Sequence, residues 1–407
     1  MRLSLKTLLV SSGLAIISTF SVTPSGVMLW TSEAQAAPSI GAKVGKPLKE
    51  GQDLSRKEKF ADALVKVKEA DAVSGKTAYE TFVVNDFLTF LYVRTKNYAG
   101  AVKSAEVAWG TGLVPAKERA QRLKTIVQLN YQVKNYDKAI SFAQQYEKEV
   151  GADAGLQVLV VQAYYLQNDY ANASNSARKL VASARAGNRK PAEDLLKLWM
   201  ASTFKQKDNA ASREALTALV EHYPSRAYWN DLLNMTASAV GRSDRMSLEV
   251  YRLKLVTGAL QDPADYVEMA QMAIQLGLPG EAQTVMERGF DSKILGGANK
   301  GREQRLLNMA RTQATQDKAS LPSSAANTKA KAALGEAYAS YGKHKEAIAL
   351  YTDVLRDAGY QDAGLTRLHL GQALLAQGSK AEARAAFSSI KDRKVAPLAE
   401  IWRLAAK

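Results

Sequence analysis

The feature that most constrains this chain is a short motif that recurs at a nearly constant interval. Each copy has a polar turn residue, an aromatic residue directly after it and an alanine three residues further on. The aromatic residues are Phe60, Tyr98, Tyr136 and Tyr170. The four alanines that follow them are 38, 38 and 34 residues apart. Such a period, combined with apolar residues at helical spacing, is typical of stacked helix pairs, because each pair can bury its apolar face only against its neighbours.

The C-terminal part carries a clearer version of the same pattern. Leu334-Gly335 is followed by Ala347 and Tyr351, and Leu370-Gly371 is followed by Ala383 and Phe387, each position 36 residues after its counterpart. We expect the helical glycines and the alanines to allow close approach of a second helix. We also expect Tyr351 to fill the space between hairpins. Gly342 and Gly378 stand where the first helix of each pair should end, since a positive φ costs glycine least.

These residues resemble the tetratricopeptide repeat, whose pattern has Leu-Gly, a buried alanine and spaced aromatic residues. The match is close over residues 328–390 and looser over 82–184, where Leu-Gly is missing. The resemblance implies an all-α fold, a right-handed α-solenoid of about nine to ten helical hairpins. Residues 395–405 should form a capping helix that shields the last hairpin.

The repeat pattern also predicts the organisation of the chain. Residues 37–290 should form an N-terminal block of the solenoid, and residues 329–407 a C-terminal pair with its cap. Between them, residues 291–328 hold one clean helical pattern, Arg302–Thr315, flanked by glycine-rich and serine-rich segments. We interpret this stretch as a degenerate unit that could act as a hinge.

Residues 1–36 have the features of a secretory signal. Arg2 and Lys6 precede the apolar run Leu8–Ile17, and Ala34-Gln35-Ala36 matches a cleavage site, so cleavage is predicted after Ala36. An uncleaved anchor is the alternative, because residues 7–32 carry no charge. Export to a bacterial periplasm fits best and disfavours nucleic acid as a partner.

Composition argues against most catalytic chemistry. The chain has no cysteine, which excludes disulfides, thiolate metal sites and a cysteine nucleophile. Its three histidines are too far apart in sequence for a helical metal pair, and we expect His369 to be a surface or groove residue. Gly301 is followed by Arg302, so the glycine-rich stretch Gly296–Gly301 is not a phosphate-binding loop. We predict no catalytic residues, no metal and no cofactor; an enzyme site hidden within 291–328 is the alternative.

The candidate site is a concave groove lined by the first helix of each pair. When the repeats are aligned on their alanines, four of six units have glutamine at one inward position, which holds Phe90, Gln128, Gln162, Gln271, Glu336 and Gln372. Tyr131 and Tyr165 are among the residues three positions later. Glutamine can donate to and accept from an extended peptide, and tyrosine adds rigid amphipathic area. Arg94 and Lys124 would add positive charge. We predict a partner-binding groove formed by these glutamines, tyrosines and basic residues, the alternative being solvated polar helix faces.

A second resemblance concerns function. Tyr223–Trp229, Leu248–Leu253 and Gly258 look like the corresponding segments of exported repeat proteins associated with TonB–ExbB–ExbD systems. This resemblance implies a role in coupling an inner-membrane motor to outer-membrane uptake, with components of that system as partners.

Net charge suggests the alternative function. The whole chain has a formal charge of +15, and residues 1–36 hold two basic residues and one acidic residue, which leaves +14 on the exported part. A basic protein is attracted to anionic surfaces. We therefore also consider an envelope-assembly factor that recruits peptidoglycan or polysaccharide machinery and binds anionic polymer. The sequence does not indicate the oligomeric state.

Overall fold

The computed structural model describes residues 39–240 and 243–407, so the predicted signal segment lies outside the described residues. Within those ranges the chain forms twenty α-helices and no strand. Successive helices pack as antiparallel neighbours joined by short turns. The predicted α-solenoid of helical hairpins is confirmed, while the right-handed twist stays a prediction.

The chain divides into two compact units, and the boundary lies between Asp208 and Asn209. The predicted boundaries at 290 and 328 both lie inside the second unit. They do not coincide with the division between the compact units, and a hinge at 291–328 stays a prediction.

The first unit contains four helix pairs and one further helix. They are α1 (Ala42–Arg56), α2 (Phe60–Asp71), α3 (Ala78–Arg94), α4 (Tyr98–Gly110), α5 (Ala116–Gln132), α6 (Tyr136–Glu149), α7 (Ala154–Leu166), α8 (Tyr170–Ala186) and α9 (Glu193–Lys205).

The second unit contains four helix pairs and three single helices. They are α10 (Asn209–His222), α11 (Arg226–Val240), α12 (Asp244–Val256), α13 (Pro263–Gln275), α14 (Pro279–Asp291), α15 (Lys300–Ser320), α16 (Thr328–Ser340), α17 (His344–Val354), α18 (Ala363–Ala376), α19 (Lys380–Ser388) and α20 (Ala396–Ala405).

The recurring motif forms the turn between the two helices of a pair. Gly342 and Gly378 have φ of +73° and +87°, as their position in the repeat predicted. Lys96, Lys134 and Asn168 occupy the equivalent position in the first unit with φ between +59° and +65°. At two of these turns the next residue caps the second helix: the Asn97 side chain accepts from the Gly100 amide at 3.0 Å, and the Asp169 side chain accepts from the Asn172 amide at 3.1 Å.

The repeated small residues allow the helices to approach closely. Ala101, Ala139 and Ala173 are completely buried, as are Ala347 and Ala383. A Cβ added to Gly335 would lie 2.6 Å from Cε1 of Tyr351, so this glycine leaves room for the tyrosine ring. The predicted roles of Gly335 and Tyr351 are therefore confirmed.

Helix α15 and the glycine-rich loop before it form a more regular structure than the sequence pattern predicts. Helix α15 has 21 residues and extends beyond the predicted Arg302–Thr315 at both ends. The buried Glu303 on this helix accepts from the Gly296 amide at 2.8 Å, which ties the glycine-rich loop to the helix.

The C-terminal helix α20 packs on α19, as expected of a cap, and also on α11 and α12. Its buried residues Leu398, Ile401 and Trp402 form an apolar face. The contact with α11 and α12 joins parts of the second unit that are far apart in sequence. No helix within residues 39–240 and 243–407 is long and apolar enough to cross a membrane.

Candidate functional site

The predicted groove residues of the first unit lie on the first helices α3, α5 and α7. Arg94 ends α3, is exposed and lies over the Phe60 ring, 4.3 Å from its centroid. Lys124 of α5 is half-buried, and its Nζ lies 2.8 Å from Asp153 Oδ2 at the start of α7. Gln128 lies one turn after Lys124 on the same face and is also half-buried. These three side chains form the accessible polar part of the predicted groove.

Tyr131 and Gln162 connect neighbouring first helices. The Tyr131 hydroxyl donates to Gln162 Oε1 at 3.2 Å, and the tyrosine ring packs edge-on against Tyr136 with centroids 5.6 Å apart. Burial raises the pKa of Tyr131 to about 12, so its hydroxyl stays protonated and able to donate at neutral pH.

Gln162 and Tyr165 are more buried than a residue in direct contact with a partner would be, with 7% and 6% of their surfaces exposed. Tyr165 packs against Tyr170, with ring centroids 5.3 Å apart. These two residues therefore form the floor of the predicted groove. Arg94, Lys124, Gln128 and Tyr131 are the ones that a partner could reach.

The groove positions of the second unit differ from each other. Gln271 on α13 is exposed. Gln372 on α18 is half-buried, and its Nε2 donates to Glu249 Oε2 of α12 at 2.6 Å. Because the amide of Gln372 is already used within the chain, it is not free to bind a partner in this structure.

Gln372 belongs to a group of polar and charged side chains that ranges from buried Glu249 to exposed Arg245. We call this group the charge cluster: Arg245, Glu249, Arg252, Glu281, Glu336, His369 and Gln372. At its centre Glu249 has 1% of its surface exposed. Its carboxylate accepts hydrogen bonds from Arg252, from His369 Nε2 at 2.8 Å and from Gln372. Side chains of α12 and α18 thus converge on one carboxylate.

The two arginines of the cluster pair with carboxylates from other helices. Arg252 binds both carboxylate oxygens of Glu281 of α14 along one edge of its guanidinium, through Nε at 2.8 Å and Nη2 at 2.6 Å. Arg245 pairs with Glu336 of α16, and His369 Nδ1 lies 3.5 Å from the same carboxylate. The planar fork of arginine suits such two-point binding of a carboxylate.

The partners of Glu249 outweigh the cost of its burial. Burial by itself would raise the pKa of Glu249, but the charges of Arg252 and His369 and the hydrogen bonds lower it to about 2. For Arg252, burial opposes the charge, yet Glu249 and Glu281 raise its pKa well above the ordinary value. Both groups are therefore charged at neutral pH and depend on each other.

The charge cluster was not predicted from the sequence. His369 is buried, with 4% of its surface exposed, so the expectation of a surface residue was wrong, while its assignment to the groove stays a prediction. The only local signal is that Arg245, Glu249 and Arg252 share one face of α12. Their partners follow 29 to 123 residues later in the chain, and no sequence spacing predicts those contacts.

Within the described parts of the chain, no three histidine, aspartate or glutamate side chains are arranged to hold a metal ion. In the charge cluster, guanidinium groups provide the positive charge that faces the carboxylates.

Comparison with known proteins finds similarity only at the level of structure. No family model matches the sequence, and no curated protein is similar to it. A tetratricopeptide repeat protein from Parabacteroides merdae is 10% identical, with 72% of this chain and 99% of that chain covered and a TM-score of 0.32. The C-terminal part of a repeat protein of the same type from Cytophaga hutchinsonii is 12% identical, with 78% and 98% covered and a TM-score of 0.30. At these TM-scores the similarity adds nothing to what the helices themselves establish.

Proposed function

We propose that this α-solenoid is a non-enzymatic scaffold that binds a protein partner in the groove of its first unit. One observation carries the proposal: Arg94, Lys124, Gln128 and Tyr131 are accessible on consecutive first helices. Of the two equivalent glutamines of the second unit, Gln271 is exposed and the amide of Gln372 is bound to Glu249. Solenoids present extended concave surfaces of this kind to partner chains.

The chemistry of the groove suits an extended segment with acidic side chains. Gln128 can donate to and accept from a peptide backbone. Arg94 and Lys124 provide positive charge, and the first unit as a whole is basic, with 27 lysines and arginines against 18 aspartates and glutamates in residues 39–208. Such an excess also increases the rate at which an acidic partner associates.

We place the protein in the periplasm because of the signal pattern in residues 1–36. The chain recovered from an envelope fraction is then expected to begin at Ala37, which N-terminal sequencing measures. A chain that still begins at Met1 and stays with the inner membrane would instead support the uncleaved anchor.

Within the envelope, we propose an accessory role in energising TonB-dependent transport, with TonB, ExbB or ExbD as partners. The support is the sequence resemblance of Tyr223–Trp229 and Leu248–Leu253. The second candidate is an envelope-assembly factor that recruits peptidoglycan or polysaccharide machinery. The charge of +14 on residues 37–407 favours that candidate, because an anionic polymer would be attracted without a specific groove.

A quantitative capture experiment tests the groove. The immobilised chain 37–407 is compared with a triple variant, Arg94→Ala, Lys124→Ala and Gln128→Ala, for capture of TonB, ExbB and ExbD from envelope extract. We expect the triple variant to lose about tenfold or more in capture, since charged hydrogen bonds contribute about 1.5–3 kcal/mol each.

The matched control also removes two positive charges and one glutamine, but from second helices. Its substitutions are Lys103→Ala, Gln144→Ala and Lys179→Ala, all at exposed positions. It should capture the partner like the wild type. Equal capture by both variants would rule out the groove. Recovery of cell-wall polymer alone, lost at moderate salt from all three proteins, would instead favour the envelope-assembly candidate.

A further inference from the structure

The second unit makes contacts that a simple stack of repeats does not require. In a solenoid each repeat touches only its neighbours. Here α20 packs on α11 and α12, and Lys407 Nζ lies 2.6 Å from Glu221 Oε1, 186 residues earlier in the chain. Gln372 and His369 of α18 reach Glu249 of α12 in the same way. The first and last helices of the second unit are therefore joined directly.

We propose that the charge cluster is a clasp that holds the second unit closed and opens as a step separate from unfolding. The clasp joins α12 to α16 and α18, through Arg245 with Glu336 and through Glu249 with His369 and Gln372. When it is closed, the amide at the groove position Gln372 is bound to Glu249. When it is open, the carboxylates of Glu249 and Glu336 and the amide of Gln372 become accessible from the groove.

The apolar packing of the second unit is divided in a way that permits such opening. One apolar cluster is built from α12 to α15, with Leu248, Met269 and Met286 at its centre. A separate cluster is built from α16 to α18 around Tyr351. The charge cluster bridges the two. Opening at this place exposes the charge cluster and also separates α20 from α11 and α12, while each of the two apolar clusters can stay intact.

The energetics of buried charges also favour a separate opening step. Taking charges out of water is unfavourable, and only complete pairing compensates for it. When the clasp opens, the same groups regain their hydration. The balance between closed and open states is therefore closer than it would be for an apolar interface of similar extent, which has no such compensation in water.

Hydrogen exchange on the full chain tests the clasp. In the double variant Arg245→Ala, Gln372→Ala, two of the bridging contacts are lost without a change in either apolar cluster. We expect amides of α18 to α20 to exchange about tenfold faster or more, because two hydrogen bonds to charged groups no longer oppose opening. Amides of α13 to α15 should keep their wild-type protection.

The control is Lys331→Met, which removes an ion pair within a single hairpin, Lys331 with Asp353 at 2.6 Å. It should leave the exchange of α18 to α20 unchanged. The single variant Gln372→Ala, which removes one bridging hydrogen bond, provides the same readout if the double variant folds poorly. Equal acceleration in α13–α15 and α18–α20 would show a merely structural role and overturn the clasp, as would no change at all. No partner is needed, so the result is independent of the groove in the first unit.

Discussion

Replacing Arg252 with alanine is expected to destabilise the second unit by about 3–5 kcal/mol, the range measured when one partner of a buried ion pair is removed. Arg252 binds Glu281 at two points and also contacts Glu249, which has 1% of its surface exposed. Without the guanidinium, both carboxylates keep their burial but lose their main counter-charge. They must then either bind protons or draw water into the unit.

Chemical denaturation measures the loss of stability, and hydrogen exchange reports the two units separately. The control is Arg119→Ala, which removes an ion pair of the first unit. Its atoms, Nη2 of Arg119 and Oε2 of Glu149, are 2.8 Å apart, and both side chains are partly exposed. That pair should contribute at most about 1 kcal/mol, as is usual at a surface. A similar small loss for Arg252→Ala would mean that the cluster is far better hydrated than its burial indicates.

The same cluster predicts how the wild-type protein responds to acid. The pKa of Glu249 is lowered from 4.5 to about 2 on folding, so its contribution to stability is complete above 4.5. It is lost progressively as the pH falls from 4.5 towards 2, because the unfolded chain then binds the proton more readily than the folded one. In Arg252→Ala the pKa of Glu249 is depressed less, so the fall in stability below pH 4.5 should be smaller than in the wild type, and acid titration of the unfolding midpoint compares the two.

Replacing Gly371 with valine is expected to destabilise the chain by about 3 kcal/mol through overpacking. A Cβ at this position would lie 2.7 Å from Cδ1 of Phe387, which is itself buried between α18, α19 and α20. Since valine adds two further methyl groups and is stiff at χ1, neither side chain can move aside without opening the helix pair.

Thermal and chemical unfolding measure this change against Gly110→Val, a control at a helical glycine whose added Cβ would meet nothing within 4 Å. The control should change stability by less than about 1 kcal/mol. Adding Phe387→Leu to Gly371→Val should recover part of the loss, because the smaller side chain relieves the contact. If Gly371→Val were as mild as the control, the helix pair would be more loosely packed than the structure shows.

Much of the fold could be predicted because the information is local. Gly342 and Gly378 mark the turns, and Ala347 and Ala383 mark the tight helix contacts, each within one repeat. Helix ends depend on a few neighbouring residues, such as Asn97, which caps α4. Where the pattern weakens, after Asp291, the sequence predicted a single helix but not its full length from Lys300 to Ser320.

The sequence predicted which positions belong to the candidate groove but not which of those side chains are accessible. Repeat alignment selected Gln128 and Gln162 together, yet Gln128 is half-buried whereas Gln162 is covered and bound to Tyr131. Likewise Tyr131 is partly accessible and Tyr165 is buried. The difference arises from the next helix in the stack, whose side chains vary from one repeat to the next.

The sequence by itself therefore determined that the chain is all-helical, how its helices pair and which small residues allow them to meet, because these properties depend on residues within one or two repeats. Only the tertiary structure decided that α12 meets α18 and α20, and that Glu249, Arg252 and His369 form one buried cluster. Contacts between residues more than 100 positions apart depend on the accumulated rotation of every intervening hairpin. Small differences in packing set that rotation, and a repeat pattern does not record them.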